Sequence, residues 1–150
     1  MTRVYMMIGC PGAGKSTWIK NNLGEDFPVV SRDIIRCELG YCKPDEKYLG
    51  SYAEESRVTE IENARISDYL KNGISFVIDD TNLSEKYRPK TISNLRSQGA
   101  YITGVKIETD FDTCLSRRDG QIPTAVLKSL WNKVQFVSPT EFDEFIEVKE

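Results

Sequence analysis

The sequence predicts an α/β domain with a parallel sheet of four to five strands flanked by helices. Three observations carry that expectation. Short apolar runs alternate with stretches of helical periodicity along the chain, the first run ends in a glycine-rich segment that opens a helix, and 150 residues suit one domain spanning 1–150. Strands separated by helices join in parallel through right-handed crossovers. Ligands on such sheets bind beyond the carboxyl ends of the strands.

The elements follow in order. Arg3 to Ile8 is mostly apolar and reads as a buried strand. A helix from Thr17 to Leu23 stops at Gly24, and Pro28 to Val30 forms a second short strand. A turn of helix follows from Asp33 to Leu39, and residues 40–50 hold the Gly, Pro, Asp and Lys of a loop. Ser51 and Glu54 have capping-box spacing, so a long helix begins there and ends at Asn72 and Gly73. Val58, Ile61 and Ala64 are expected on its inner face, with Glu54, Glu55, Arg57, Glu60 and Glu62 in solvent. Ile74 to Ile78 is a third strand. The next helix ends at Gln98 before Gly99, and Pro89 leaves its start open. Tyr101 to Glu108 is a fourth strand, Cys114 to Arg118 a short helix, and Thr124 to about Val137 a last helix. The alternating tail from Phe142 to Val148 suits an edge strand. Gly9, Ser31, Asp79 and Asp80 therefore share one rim of the sheet.

Composition narrows the function classes. A net charge of −3 argues against broad electrostatic coating of nucleic acid, while leaving room for a small basic pocket. No apolar run approaches the roughly 20 residues that span a bilayer, and Met1 to Ile8 is too short for a signal peptide, so a cytoplasmic setting is expected. Cys10, Cys37, Cys42 and Cys114 form no CxxC pair, and the chain has no histidine, so no zinc site is expected and the thiols read as free. Without histidine, a general base must be another group, and a carboxylate is expected.

Gly9, Cys10, Pro11, Gly12, Ala13, Gly14, Lys15, Ser16 and Thr17 fit G-x-x-x-x-G-K-[ST]. Glycines let backbone amides turn inward around phosphate oxygens, and the helix that starts there points its positive end at the anion. Lys15 supplies charge to the β and γ phosphates, and the Ser16 hydroxyl is a hard ligand for Mg2+. The expected nucleotide is ATP. A guanine-reading N-K-x-D element is missing, and the chain is short for a motor, so a small phosphotransferase fits better than a switch.

Two further segments matter: one could serve an acceptor, and the other, after the third strand, is where a carboxylate commonly orients magnesium through water. Asp33 and Arg36 lie three apart, so on a helix they share a face. They suit a proton-accepting carboxylate beside a phosphate-holding arginine, and equally an ion pair at a helix cap. Asp79, Asp80, Thr81 and Asn82 follow the third strand. Alternation sends only one of the two carboxylates toward the phosphates.

The segments from Ile8 to Trp18, Ser31 to Arg36 (S-R-D-I-I-R), Val77 to Leu83 (V-I-D-D-T-N-L) and Ile122 to Leu127 (I-P-x-x-V-L) occur in an order that resembles the kinase domain of the polynucleotide 5′-kinases of T-even-type bacteriophages. That family lies among the small P-loop kinases. The resemblance spans about Arg3 to Val137 and implies an ATP-dependent kinase of the 5′-hydroxyl ends of DNA or RNA. It implies Lys15 and Ser16 on the phosphates and Mg2+, Asp33 as general base, and Arg36 on the acceptor's neighbouring phosphate. Asp80 would match the carboxylate of the family's D-T-N element, with Thr81 and Asn82 near the substrate.

The lid departs from that family, whose arginines sit about one turn apart. Here Arg117 and Arg118 are adjacent, and the segment looks shorter. Neighbouring helical side chains diverge by about 100°, so both reach the γ-phosphate only if the helix ends there, which Gly120 favours. Arg117 is also a candidate to stack on adenine. Asp110-Phe-Asp112 imitates the start of an acid-phosphatase motif without its remainder, and one of the two aspartates is expected to cap the lid helix. A phosphatase domain is not expected. The alternatives are a kinase of a nucleoside, sugar or antibiotic, and a non-catalytic ATP-binding module. Lys43, Lys47 and Arg57 could line an acceptor channel, although solvated surface suits them as well.

Overall fold

A computed structural model describes residues 1–41, 51–118 and 121–150. The expectations placed on residues 42–50 and on Gly120 lie outside the described residues. Five strands form one sheet: β1 (Arg3–Ile8), β2 (Val29–Val30), β3 (Phe76–Ile78), β4 (Tyr101–Glu108) and β5 (Glu144–Lys149). Their spatial order is β2-β3-β1-β4-β5, and every pairing is parallel. The sequence expectation of a parallel sheet flanked by helices holds.

Alternation along the strands divides two cores. Val4, Met6 and Ile8 of β1 join Phe76, Ile78 and Ile102 on one face. That face is covered by α3 (Tyr52–Lys71) and α4 (Arg88–Ser97) through Ile66, Ile92 and Leu95. On the other face Met7, Val77, Val105 and Ile107 meet α1 (Lys15–Leu23), α5 (Phe111–Arg117) and α6 (Thr124–Val134) through Ile19, Cys114 and Leu127. In β4, Gly104 admits the Phe142 ring, because a Cβ there would lie 2.8 Å from ring atoms.

Local chemistry sets the helix ends. Ser51 caps α3 by accepting from the Glu54 amide. Pro89 falls in the first turn of α4, where no intrahelical amide is needed, and this resolves the open start. Asp110, rather than Asp112, caps α5. The last helix ends at Val134, and a capped 3-10 turn (Pro139–Glu141) leads into β5.

One expected face is wrong. Val58 and Ile66 are buried in α3, whereas Ala64 is exposed. The inner stripe runs through positions 58, 62 and 66, one turn apart, so Glu62 is carried inward with them. Its side chain keeps only 15% exposure.

Candidate functional site at the phosphate loop

The rim of the sheet gathers the loop after β1, the start of α2 (Arg32–Glu38), the loop after β3 and the end of α5. Residues Gly9 to Thr17 wrap between β1 and α1 as the motif requires. Gly12 (φ 84°) and Gly14 (φ 104°) take left-handed conformations that side chains disfavour. The helix begins at Lys15, two residues earlier than expected, directly after Gly14. Outside contacts pin the loop: Gly9 N–H donates to the Thr81 carbonyl at 3.3 Å, and Thr109 Oγ1 donates to the Ala13 carbonyl at 2.7 Å.

Lys15 Nζ folds onto the carbonyls of Gly9 and Cys10 at 3.0 and 3.1 Å. Burial lowers its pKa, and the Arg118 charge acts in the same sense, while Asp79 and Asp33 oppose it. Cys10 and Cys114 are buried with their sulfurs 3.1 Å apart, and burial plus this contact push the Cys10 thiol up to about 12. Both are free thiols. Cys37 is disulfide-bonded, contrary to the expectation of free cysteines.

The two aspartates after β3 separate as alternation requires, but in the opposite sense to the one inferred from the family pattern. Ser16 Oγ donates to Asp79 Oδ2 at 2.8 Å. Burial raises the Asp79 pKa, while Ser16 and Lys15 counteract the rise. Asp80 instead turns toward α2 (Arg32–Glu38) and accepts from Arg32 N–H at 2.9 Å. Burial first, and then the neighbouring Glu62 carboxyl, push Asp80 up to about 8. It is therefore Asp79, rather than Asp80, that the fold brings to the Ser16 hydroxyl.

Thr81 contributes its carbonyl to the phosphate loop. Asn82, expected at the substrate, sits at φ 52° with its amide donating to the carbonyls of Met7 and Asp80 at 2.6 and 3.2 Å. It fastens the loop to β1.

Helix α2 begins at Arg32 because Ser31 caps it by accepting from Ile34 N–H. Arg36 Nη1 donates to Asp33 Oδ1 at 2.7 Å, as the i,i+3 spacing predicted. The remainder of its guanidinium is gripped by Glu55, with Nη2 to Oε1 at 2.9 Å and Nε to Oε2 at 3.3 Å. Arg32 reaches the same Glu55 as well as Thr59 and Glu62. The Arg32 and Arg36 guanidinium groups lower the Glu55 pKa, outweighing a burial effect that raises it. Asp33 remains 87% exposed at the side chain, yet its charge is felt at Lys15 and Asp79.

Sequence reasoning placed Glu55 and Glu62 in solvent and assigned Arg32 no role. No local signal marks them, because their partners lie in other segments. Thr109 was missed for the same reason.

At the lid, Arg117 Nη1 donates to the Gly12 carbonyl at 2.9 Å. Arg118 caps the end of α5 and places its Cγ 3.2 Å from where a Gly12 Cβ would sit. The helix ends where it must for both arginines to flank the loop. Glu150 lies beside them, 3.7 Å from Arg117.

Comparison with known proteins gives the same frame. A chain of the Pnkp1/Rnl/Hen1 RNA repair complex superposes with a TM-score of 0.72 at 23% identity, covering 90% of this chain and 44% of that one. A chain of AvrRxo1-ORF1:-ORF2 with ATP gives 0.61 at 17% identity, with 90% and 48% coverage. A sugar kinase from Janibacter sp. HTCC2649 gives 0.63 at 15% identity, with 99% and 86% coverage. The chain thus spans less than half of the first two matches. At these identities the likeness establishes a P-loop kinase fold and leaves the acceptor open. The family model described as an AAA domain matches residues 4–129, and the chain belongs to that family.

Proposed function

We propose that the protein is an ATP-dependent kinase that transfers the γ-phosphate to the 5′-hydroxyl end of a polynucleotide. The observation that carries this reading is the pairing of Asp33 with Arg36 at 2.7 Å, on a helix whose Asp33 charge is felt at Lys15. One carboxylate and one guanidinium so placed suit a hydroxyl that bears a phosphate nearby.

The phosphates of ATP rest on the Gly9–Thr17 amides and the positive end of α1. The Ser16 hydroxyl and Asp79 carboxylate, 2.8 Å apart, are hard oxygen donors that fit Mg2+. When bound, the ion neutralises charge on the β and γ oxygens. Asp33 accepts the proton of the attacking hydroxyl. Lys15 exchanges its carbonyl contacts for phosphate oxygens, and Arg117 and Arg118 stabilise charge on the moving phosphoryl group. Arg36, whose guanidinium is bonded to Asp33 and Glu55, takes the acceptor's phosphate by exchanging its Asp33 contact when Asp33 turns to the hydroxyl.

The match to a chain of an RNA repair complex supports the polynucleotide acceptor. The sugar kinase match keeps a small-metabolite kinase as the second reading. No helix among the described residues is long and apolar enough to cross a membrane. Labelled γ-phosphate is expected on a 5′-hydroxyl oligonucleotide and not on its 5′-phosphorylated copy. Label on a nucleoside or sugar panel with none on the oligonucleotide would replace the first reading by the second.

A further inference from the structure

A groove of about 480 Å³ runs between α3 and α4, outside the site described above. Its walls carry amide and hydroxyl groups from Asn63, Ser67, Thr91, Asn94 and Gln98, over a floor of Ile66 and Leu95. Among the described residues, Asn63 and Ser67 make no side-chain hydrogen bond within the protein. Lys90 also lines the groove, and its ammonium lies 5.9 Å from the centre of the Tyr87 ring. Lys86 approaches the same ring at 5.3 Å. Tyr87 is 61% exposed, and both ammonium groups lie over its ring, one of them from Lys90, which lines the groove.

This platform is held in place. Tyr87 N–H donates to Ser84 Oγ, and the Tyr87 carbonyl accepts from Thr91 Oγ1. The next residue, Arg88, is buried, bonded through Nε and Nη2 to both oxygens of Glu141 and through Nη1 to the Asn82 carbonyl. Asn82 is fastened to β1 beside the phosphate loop. On the opposite wall, Asn63 follows Glu62, whose carboxyl faces Asp80 at the top of β3. Both walls of the groove therefore connect to the loop that borders the phosphates.

From this arrangement we infer that the Tyr87 platform and the α3/α4 groove bind the single-stranded polynucleotide segment that follows the accepted 5′ end. An exposed ring stacks any base once the long lysine side chains over it swing to the phosphates, and amide side chains meet base edges. The two lysines give a chain of net charge −3 a local basic patch where a strand would pass. A sugar or nucleoside would not extend this far, so the inference rests on the polynucleotide reading and sharpens it to a substrate several nucleotides long.

The test is steady-state transfer to a series of single-stranded acceptors, from a dinucleotide to about twelve nucleotides, with wild type, Tyr87→Ala, Tyr87→Phe and the Lys86→Ala/Lys90→Ala double variant. Anisotropy of a fluorescent oligonucleotide bearing a 5′-phosphate reads binding without turnover. In wild type, KM should fall with acceptor length and then level off. Tyr87→Ala should raise KM and Kd for the longest acceptor by about tenfold, the order of one lost base–aromatic stack, without changing kcat or dinucleotide KM. Tyr87→Phe should retain wild-type values, and the lysine double variant should flatten the salt dependence. Transfer that proceeds with a KM independent of length, or equal losses on long and short acceptors, overturns the groove while the kinase assignment stands. Transfer to no oligonucleotide overturns both.

Discussion

The donor and acceptor sides proposed for this site are built from different materials. On the donor side, main chain does the work: the loop amides, two left-handed glycines and a helix terminus are supplied by nine consecutive residues. On the acceptor side, side-chain charges from separate segments do it, with Asp33 and Arg36 on α2 held by Glu55 on α3, and Arg32 shared between Glu55 and Glu62. A backbone cradle is fixed once its strand and helix are in place. A charged network depends on every partner that fastens it.

That contrast sets the order of expected effects. Asp33→Asn removes the proposed proton acceptor, and turnover should fall by roughly 10²–10⁴ with ATP affinity nearly intact. Full turnover in this variant would remove Asp33 from the chemistry and leave only its ion pair. Asp79→Asn should raise the magnesium concentration for half-maximal rate by about 10- to 100-fold, whereas Asp80→Asn should leave it unchanged. The reverse ranking in a magnesium titration would restore the assignment inferred from the family pattern. Glu55→Ala should raise acceptor KM by about tenfold through loss of charge-assisted hydrogen bonds, with ATP KM unaffected. If donor and acceptor constants move together in that variant, the two sides are one network and the contrast fails.

Smaller effects test the donor frame. Thr109→Val removes the 2.7 Å bond to the Ala13 carbonyl and should weaken ATP binding by a few-fold, on the order of 1 kcal/mol, measurable by calorimetry. Alkylation of Cys10 should be slow near neutral pH and become rapid only on unfolding, because its folded pKa is raised. The sign follows from linkage. The fold favours the protonated thiol, so that contribution to stability is complete below the ordinary thiol value of 9.0 and is lost as pH rises through about 12. Mass spectrometry of labelled native protein at neutral pH would expose an error through prompt modification at Cys10.

The reading of α3 shows where sequence periodicity stopped being informative. Val58, Ile61 and Ala64 looked like an inner face, because apolar residues at helical spacing normally are one. In the fold the stripe passes through Glu62 instead, since that carboxyl has Asp80 and Arg32 to face. Similarly, Ser51 and Glu54 announced their cap from four consecutive residues, while Glu55 looked as solvated as its neighbours although it grips Arg36.

Asp79 and Asp80 make the same point within two residues. Strand alternation requires them to diverge, and the sequence conveys that much. Which one meets Ser16 depends on how β3 sits beside β1 and on the pull of Arg32 N–H from α2. The sequence alone determined the α/β parallel architecture through the alternation of its elements, and it determined the phosphate loop, the i,i+3 pair on α2 and the Ser51 cap of α3, because these depend on contacts within a few residues. Tertiary structure decided the facing carboxylate, the Glu55 clamp, the approach of Arg117 and Arg118 to Gly12, and the groove beside Tyr87. These depend on the relative placement of segments far apart in the chain, and local propensity carries no record of that distance.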